Sequence, residues 1–153
     1  GLPPGRILAI RKALTKVDEK KGGKREVGIG ASLPDGTRLF SIYDGLDRKE
    51  RILWEYKTST RPERWNQYIV DQHLQLSFYA LVYWLTFHAF FREIRLVFLE
   101  LGKGNCTTYH TVRGPEDIGK TQERVEAAID EIKRAGLWNL RLSRGERGQQ
   151  KLV

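Results

Sequence analysis

Residues 51–58 read Arg-Ile-Leu-Trp-Glu-Tyr-Lys-Thr. The run is apolar and β-branched or aromatic enough for a strand, yet it carries an acid and a base in its middle. Successive strand side chains point to opposite faces, so Leu53, Glu55 and Lys57 share one face. A carboxylate and an ammonium among Ile52, Leu53, Trp54 and Tyr56 are odd company for a core strand. The stretch upstream, Thr37 to Tyr43, reads as a second strand with Asp44 at its end. If the two strands form a hairpin across the polar turn Asp47–Glu50, Asp44 comes opposite Glu55 and two carboxylates meet.

Further out, Glu26–Leu33 reads as a strand joined to Thr37–Tyr43 by the turn Pro34-Asp35-Gly36, where Pro presets φ and Gly tolerates positive φ. Ile7, Ile10, Leu14 and Val17 recur at helical spacing and predict a first helix from Arg6 to about Lys20, after Pro3-Pro4. Downstream, Ser59–Asn66 is a polar loop and Gln67 to about Phe90 a single long apolar helix. Glu93–Leu101 and Cys106–Val112 follow as strands around Gly102-Lys103-Gly104-Asn105. Glu116–Ala135 is an amphipathic helix, with Ile118, Val125, Ala128, Ile129 and Ile132 as its stripe and Gly136 as its stop. Helix, three antiparallel strands, long helix, two strands and helix predict an α/β fold with a mixed central sheet. The expected organisation is one domain over 1–138 and a basic tail over 139–153.

Two adjacent carboxylates repel and raise one another's pKa. A divalent cation removes that penalty, and a small set of hard oxygen donors suits Mg²⁺ or Mn²⁺, which keep waters and accept a phosphate oxygen. Lys57 beside them can orient an attacking water or neutralise developing charge. Gln75 and Tyr79 lie four apart on one helix face amid apolar neighbours. A buried Gln needs partners, and a lysine–metal site on the adjacent sheet would supply them.

Taken together, Asp44, then Glu55-Tyr56-Lys57, then Gln75-Leu76-Ser77-Phe78-Tyr79 resemble the PD-(D/E)XK nuclease superfamily, and more narrowly its RecB-type exonuclease branch with a Q-x-x-x-Y motif. In that branch a strand ending G-x-I-D-x-I-D precedes I-(V/I)-D-(Y/W)-K-(T/S). Here those positions read Ser41-Ile42-Tyr43-Asp44-Gly45-Leu46-Asp47 and Leu53-Trp54-Glu55-Tyr56-Lys57-Thr58. The resemblance covers about residues 26–112 and implies a restriction-endonuclease-like αβββαβ core. It implies Asp44 and Glu55 as metal ligands, the Tyr56 carbonyl as a further one, and Lys57 as the catalytic lysine. It implies that Gln75 and Tyr79 support the lysine and the DNA path, and that Asp47 stays off the metal. Thr58, Ser59, Thr60 and Arg61, which follow the lysine, are expected phosphate contacts, with Arg64 and Trp65 beside them.

This sequence departs from the branch in places. The upstream Glu or His that often completes the metal site has no matching local pattern; Glu19 and Glu26 are the candidates, or the residue lies upstream of Gly1. Glu55 stands where the branch usually has Asp. The cysteines of cluster-bearing relatives are missing, so no iron–sulfur cluster is expected.

The 153 residues suit one domain with a real core. The single cysteine, Cys106, excludes an intrachain disulfide framework and favours a reducing, cytoplasmic setting, with an organelle as the alternative. No run reaches the length a membrane helix needs. The chain contains no Met, so it begins after processing or is a segment of a longer protein. Net charge is +8, and the excess sits at the ends: +6 over residues 1–25, +3 over 139–153 and −1 between. Basic ends on a balanced body suit a polyanion such as DNA.

Other candidates carry less. His73, His88 and His110 are dispersed, and His73 has the best claim on the cleft. Gly28-Ile29-Gly30 lacks the frame of a phosphate loop and reads as a strand. Trp65, Tyr68, Trp84 and Trp138 could stack on bases, although large aromatics at these spacings mostly pack in cores. Trp65, beside Arg61 and Arg64 in a polar loop, is the one expected to be exposed.

The expected function is a metal-dependent DNA nuclease, an exonuclease on DNA ends or single strands in processing, repair or recombination. The rival expectations are a catalytically weak DNA-binding module, a nuclease subunit with a helicase-like partner, and a structure-selective endonuclease.

Overall fold

The computed structural model describes residues 24–136. The expected first helix, Glu19 and the basic tail lie outside the described residues. Five strands form one sheet: β1 (Lys24–Ser32), β2 (Arg38–Asp47), β3 (Ile52–Ser59), β4 (Glu93–Glu100) and β5 (Cys106–Thr111). They are neighbours in chain order. All pairings are antiparallel except β3 with β4, which is parallel. The sheet is therefore mixed, as expected of a restriction-endonuclease-like α/β core.

Burial follows position in the sheet. Ile52, Leu53, Trp54 and Glu55 on β3 are all buried, as are Leu96, Val97, Phe98 and Leu99 on β4. Strands covered on both faces read as continuous apolar runs, whereas half-covered strands alternate. β2 alternates from Arg38 to Tyr43, then Gly45, Leu46 and Asp47 are all buried. The strand thus extends past its expected end at Tyr43. Its alternation breaks at Asp44, across the β1 ladder from Glu26, whose φ of 49° is left-handed.

The turn after β1 is built as its sequence dictates. Gly36 has φ 87°, its amide donates to Leu33 O at 2.9 Å, and Asp35 Oδ1 accepts from the Thr37 amide at 2.8 Å. Gly28 leaves room for the Phe40 ring, since a Cβ there would meet Phe40 Cζ at 2.9 Å. Gly28-Ile29-Gly30 is strand, as expected.

The parallel β3–β4 pair needs a crossover. It contains a short 3₁₀ turn (Pro62–Arg64), helix α1 (Gln67–Asp71) and helix α2 (Leu74–Phe87). The single long helix expected over Gln67–Phe90 is therefore two helices, broken at Gln72–His73. His73 is extended, with φ −67° and ψ 118°. The buried Arg113 guanidinium, remote in sequence, braces the break: it donates to Val70 O at 2.9 Å and His73 O at 3.2 Å, which also accept the His73 and Ser77 amides. α2 ends at His88, left-handed at φ 51°, whose amide donates to Trp84 O.

α2 packs on β1 and β2. The Tyr43 hydroxyl donates to Tyr79 O at 2.9 Å, and the Tyr43 ring meets those of Tyr79 and Phe91 edge-on. Burial raises the Tyr43 phenol well above its ordinary pKa, so it stays a neutral donor.

Two compact units divide the chain, residues 1–118 and 119–153. Helix α3 (Pro115–Arg134) starts in the first and forms the described part of the second. Glu116 and Asp117 sit in its first turn and Lys133 and Arg134 in its last, both favourable to the helix dipole. Gly136, at φ 71°, closes it as expected.

Candidate functional site

The β2–β3 ladder runs Asp47↔Ile52, Leu46↔Leu53 and Gly45↔Trp54, then stops. The next pair in that register would be Asp44 with Glu55. Instead of a backbone bond, Asp44 Oδ2 accepts from the Tyr56 amide at 2.9 Å. The side chain thus takes over where the ladder ends, and this bond holds its carboxylate beside Glu55.

Glu55 is buried, and its Oε2 is an orphan without a hydrogen-bond partner. Burial, then the neighbouring Asp44 charge, push its carboxyl up to about 8, against a smaller opposite pull from Lys57. A buried acceptor with nothing to accept is costly. A cation at Oε2 and Asp44 would remove both the orphan and the repulsion. The donor set, two hard carboxylates, fits Mg²⁺ or Mn²⁺, which complete their shells with waters and phosphate oxygens.

Among the described residues no group of three or more His, Cys, Asp or Glu is assembled for a metal. Glu26 is exposed and lies across the β1–β2 ladder from Asp44. Asp47 is occupied elsewhere: its Oδ1 accepts from the Glu50 amide at 2.9 Å and shapes the β2–β3 turn.

Lys57 is the third member. Its Nζ lies 3.8 Å from Glu55 Oε1 and donates to Gln75 Oε1 at 2.5 Å. The Gln75 amide then donates from Nε2 to the Tyr79 hydroxyl at 2.9 Å. Gln75 and Tyr79 stand one α2 turn apart, so their chain runs along the helix face toward the sheet. Burial, Glu55 and Asp44 together push the Tyr79 phenol up to about 12, so it remains protonated. The sequence thus brings Asp44, Glu55, Lys57, Gln75 and Tyr79 into one hydrogen-bonded or closely charged group.

The loop after Lys57 is partly used by its own backbone. Ser59 Oγ accepts from the Arg61 amide at 2.9 Å. Thr58, Thr60, Arg61 and Arg64 are exposed. Trp65 differs from expectation: it is only half exposed, with its ring 5.3 Å from those of both His73 and Phe98. The aromatic in the open is Tyr68, 75% exposed.

His73 was the histidine with the best claim on the cleft, and it stands just before α2 with its Nδ1 buried and unpartnered. Burial, then Lys57 and Arg113, lower its pKa, which favours neutral imidazole. Composition offered no hint of Arg113. It is buried and donates to Ser77 Oγ (2.7 Å), Thr111 Oγ1 (2.8 Å), and the carbonyls of Val70, His73 and Val112. Its position immediately past a strand end was its only signal.

Comparison with known proteins yields one family. The model of the PD-(D/E)XK nuclease superfamily matches residues 5–143. No curated protein matches the chain. Among solved structures, one titled "Crystal structure of SSO0001" is similar over 79% of this chain and 59% of its own, at 22% identity and a TM-score of 0.50. The chain therefore spans about three fifths of that structure, and at this identity the likeness concerns the fold alone.

Proposed function

This chain belongs to the PD-(D/E)XK nuclease superfamily, and we propose that it is a metal-dependent deoxyribonuclease, an exonuclease acting on DNA ends or single strands. The observation that carries the reading is the Glu55 carboxylate: buried, orphaned at Oε2, beside Asp44 and 3.8 Å from the Lys57 ammonium. The end-directed preference rests on Gln75 and Tyr79, which follow Lys57 as in the RecB-type branch.

Each residue then has a defined task. Asp44 and Glu55, with the Tyr56 carbonyl, would hold the divalent cation, Glu55 as its carboxylate. The cation, when bound, polarises the phosphate and eases ionisation of water. Lys57 presents a fixed positive charge to the phosphoryl oxygens as negative charge builds on them. Gln75 holds Nζ in place, and Tyr79 fixes the Gln75 amide so that its oxygen faces the lysine. Thr58, Thr60, Arg61 and Arg64 line the strand's approach as phosphate contacts, and binding weakens steeply with salt. DNA repair or recombination is the setting such chemistry serves, with a helicase-like partner as one source of unwound strands.

The test is degradation of end-labelled single- and double-stranded DNA in Mg²⁺, Mn²⁺ or EDTA, beside Lys57→Ala. Metal-dependent loss of label that the variant lacks supports the reading, and the released products distinguish end-directed from internal cleavage. Binding without cleavage in every metal would sink the enzymatic reading and leave a DNA-binding module.

A further inference from the structure

The segment between Lys57 and Gln75 leaves the sheet at the site and returns to it, because those two side chains bond each other. Within it, α1 is anchored on one side only. Asn66 Oδ1 caps the helix through the Ile69 amide at 2.9 Å. Gln67 Nε2 donates to His110 O and Asp71 Oδ1, both at 2.8 Å, and Asp71 Oδ1 accepts from Thr111 Oγ1 at 2.8 Å. Val70 is fully buried, and its carbonyl takes a bond from Arg113. A five-residue helix is thereby bolted to β5 and the segment that follows it.

The segment also leaves apolar side chains open. On α1 Tyr68 is 75% exposed and Ile69 37%, and Leu74, the first residue of α2, is 46% exposed, three of the seven large hydrophobic residues that are exposed among the described ones. Leaving such side chains in water forgoes the gain of burying them, and here they sit on hydrogen-bonded helices. Leu74 directly precedes Gln75. Tyr68 lies within about 20 Å of it by chain reach, about six stacked nucleotides at 3.4 Å. Arg61 and Arg64 are exposed on the same segment and form no ion pair among the described residues, with Glu63 as the one acid between them. Exposed apolar and aromatic side chains on the same segment as exposed guanidinium groups match a strand that has both π-faces and phosphates. It does not match an acid-free apolar partner.

We propose that Tyr68, with Ile69 and Leu74, is a base-stacking platform that takes unpaired nucleobases of the nucleic-acid strand whose phosphate enters the Asp44–Glu55–Lys57 site. This rests on the nuclease reading and deepens it, by giving the site its preference for unpaired strand. A ring on a fixed helix stacks any base, because every base has a π-face, and an apolar side chain beside it can wedge between steps. Duplex with closed ends offers no such face.

The test uses the full chain carrying Lys57→Ala, so that nothing is cut, and measures equilibrium binding to two oligonucleotides of equal length. One is intact single-stranded DNA and the other the same strand with abasic residues throughout. Adding Tyr68→Ala is expected to weaken the intact strand about tenfold and to leave the abasic strand unchanged. Tyr68→Trp is expected to restore affinity, since stacking and not the hydroxyl is required. Equal loss on both strands, or no loss on either, overturns the platform. So does Tyr68→Ala dissolving a dimer while DNA affinity stays fixed, which would make a second copy of the chain the occupant. If the parent binds neither oligonucleotide and the wild type cuts nothing, the nuclease reading itself has failed. A parent that binds while Tyr68→Ala changes nothing fails the platform alone.

Discussion

Lys57 Nζ stands 3.8 Å from Glu55 Oε1, while Oε2 of the same carboxylate is buried with no partner. One oxygen therefore has a countercharge and the other has none. The protein alone leaves the site electrostatically incomplete. Burial and Asp44 outweigh Lys57, which is why the carboxyl is pushed up to about 8.

Metal addition should therefore stabilise the fold. A ligand that binds only the native state adds about 2.7 kcal/mol at a hundredfold excess over Kd, and that is worth several degrees in Tm for a chain of this size. Thermal unfolding at pH 7.5 with and without Mg²⁺ is expected to show this shift for wild type. Glu55→Gln should lose most of it, while its metal-free Tm equals or exceeds that of wild type, because a buried carboxyl is gone. A Glu55→Gln protein that keeps the full Mg²⁺ shift would place the cation elsewhere.

Tyr79 should matter through Gln75 and not by touching substrate. Its hydroxyl accepts from Gln75 Nε2, which fixes the amide so that Oε1 faces Lys57. Tyr79→Phe removes a bond worth on the order of 1 kcal/mol, or about fivefold to tenfold in rate if it is expressed at the transition state. Single-turnover cleavage should slow by that factor, with DNA affinity unchanged. Gln75→Ala should slow it more. A Tyr79→Phe enzyme with wild-type rate would reduce the hydroxyl to packing.

Much of this site was legible because it obeys short-range rules. Strand alternation puts Glu55 and Lys57 on one face, and hairpin counting puts Asp44 opposite Glu55; both survive in the fold. The first gap was the helix break at Gln72–His73. No local residue forbids a helix there, and the guanidinium that braces the break comes from position 113. The second was which aromatic faces water. Trp65 has the more polar neighbours in sequence, but it is covered by His73 and Phe98, which arrive from other elements. The third was the reach of β2 beyond Asp44, where the alternation slips opposite a left-handed Glu26. Tertiary contacts decided all three.

Acid stability should depend on Glu93. Its hydrogen bond to Arg95 at 2.8 Å, and then its contact with His110, draw its carboxyl down to about 2, despite some burial. A carboxylate depressed in the fold stabilises the native state above its ordinary value of 4.5, and that stability fades as pH falls from there toward 2. The site is partly exposed, so screening trims the effect to about 1–2 kcal/mol. Urea unfolding of Glu93→Gln should show that deficit at pH 7 and none near pH 2. A deficit that stays constant with pH would mean the loss is packing and not charge.

Arg113 should be the residue on which the α1–α2 break depends. Its five hydrogen bonds all go to neutral oxygens: two hydroxyls and three carbonyls. Removing it takes all five bonds, each worth about 0.5–1.5 kcal/mol net, while Val70 O keeps the His73 amide and His73 O keeps the Ser77 amide. Arg113→Met keeps the volume and apolar stem but no donor, so it should lose about 3–5 kcal/mol in denaturant unfolding. Lys has one point of donation where Arg has a planar fork, so Arg113→Lys should recover part of the stability and still fold. Since His73 leads directly into the turn of α2 that carries Gln75, this variant should cut more slowly at saturating DNA while its KM changes little. A Met variant that loses under 1 kcal/mol would mean that the break is held by the chain around it and that the guanidinium only follows.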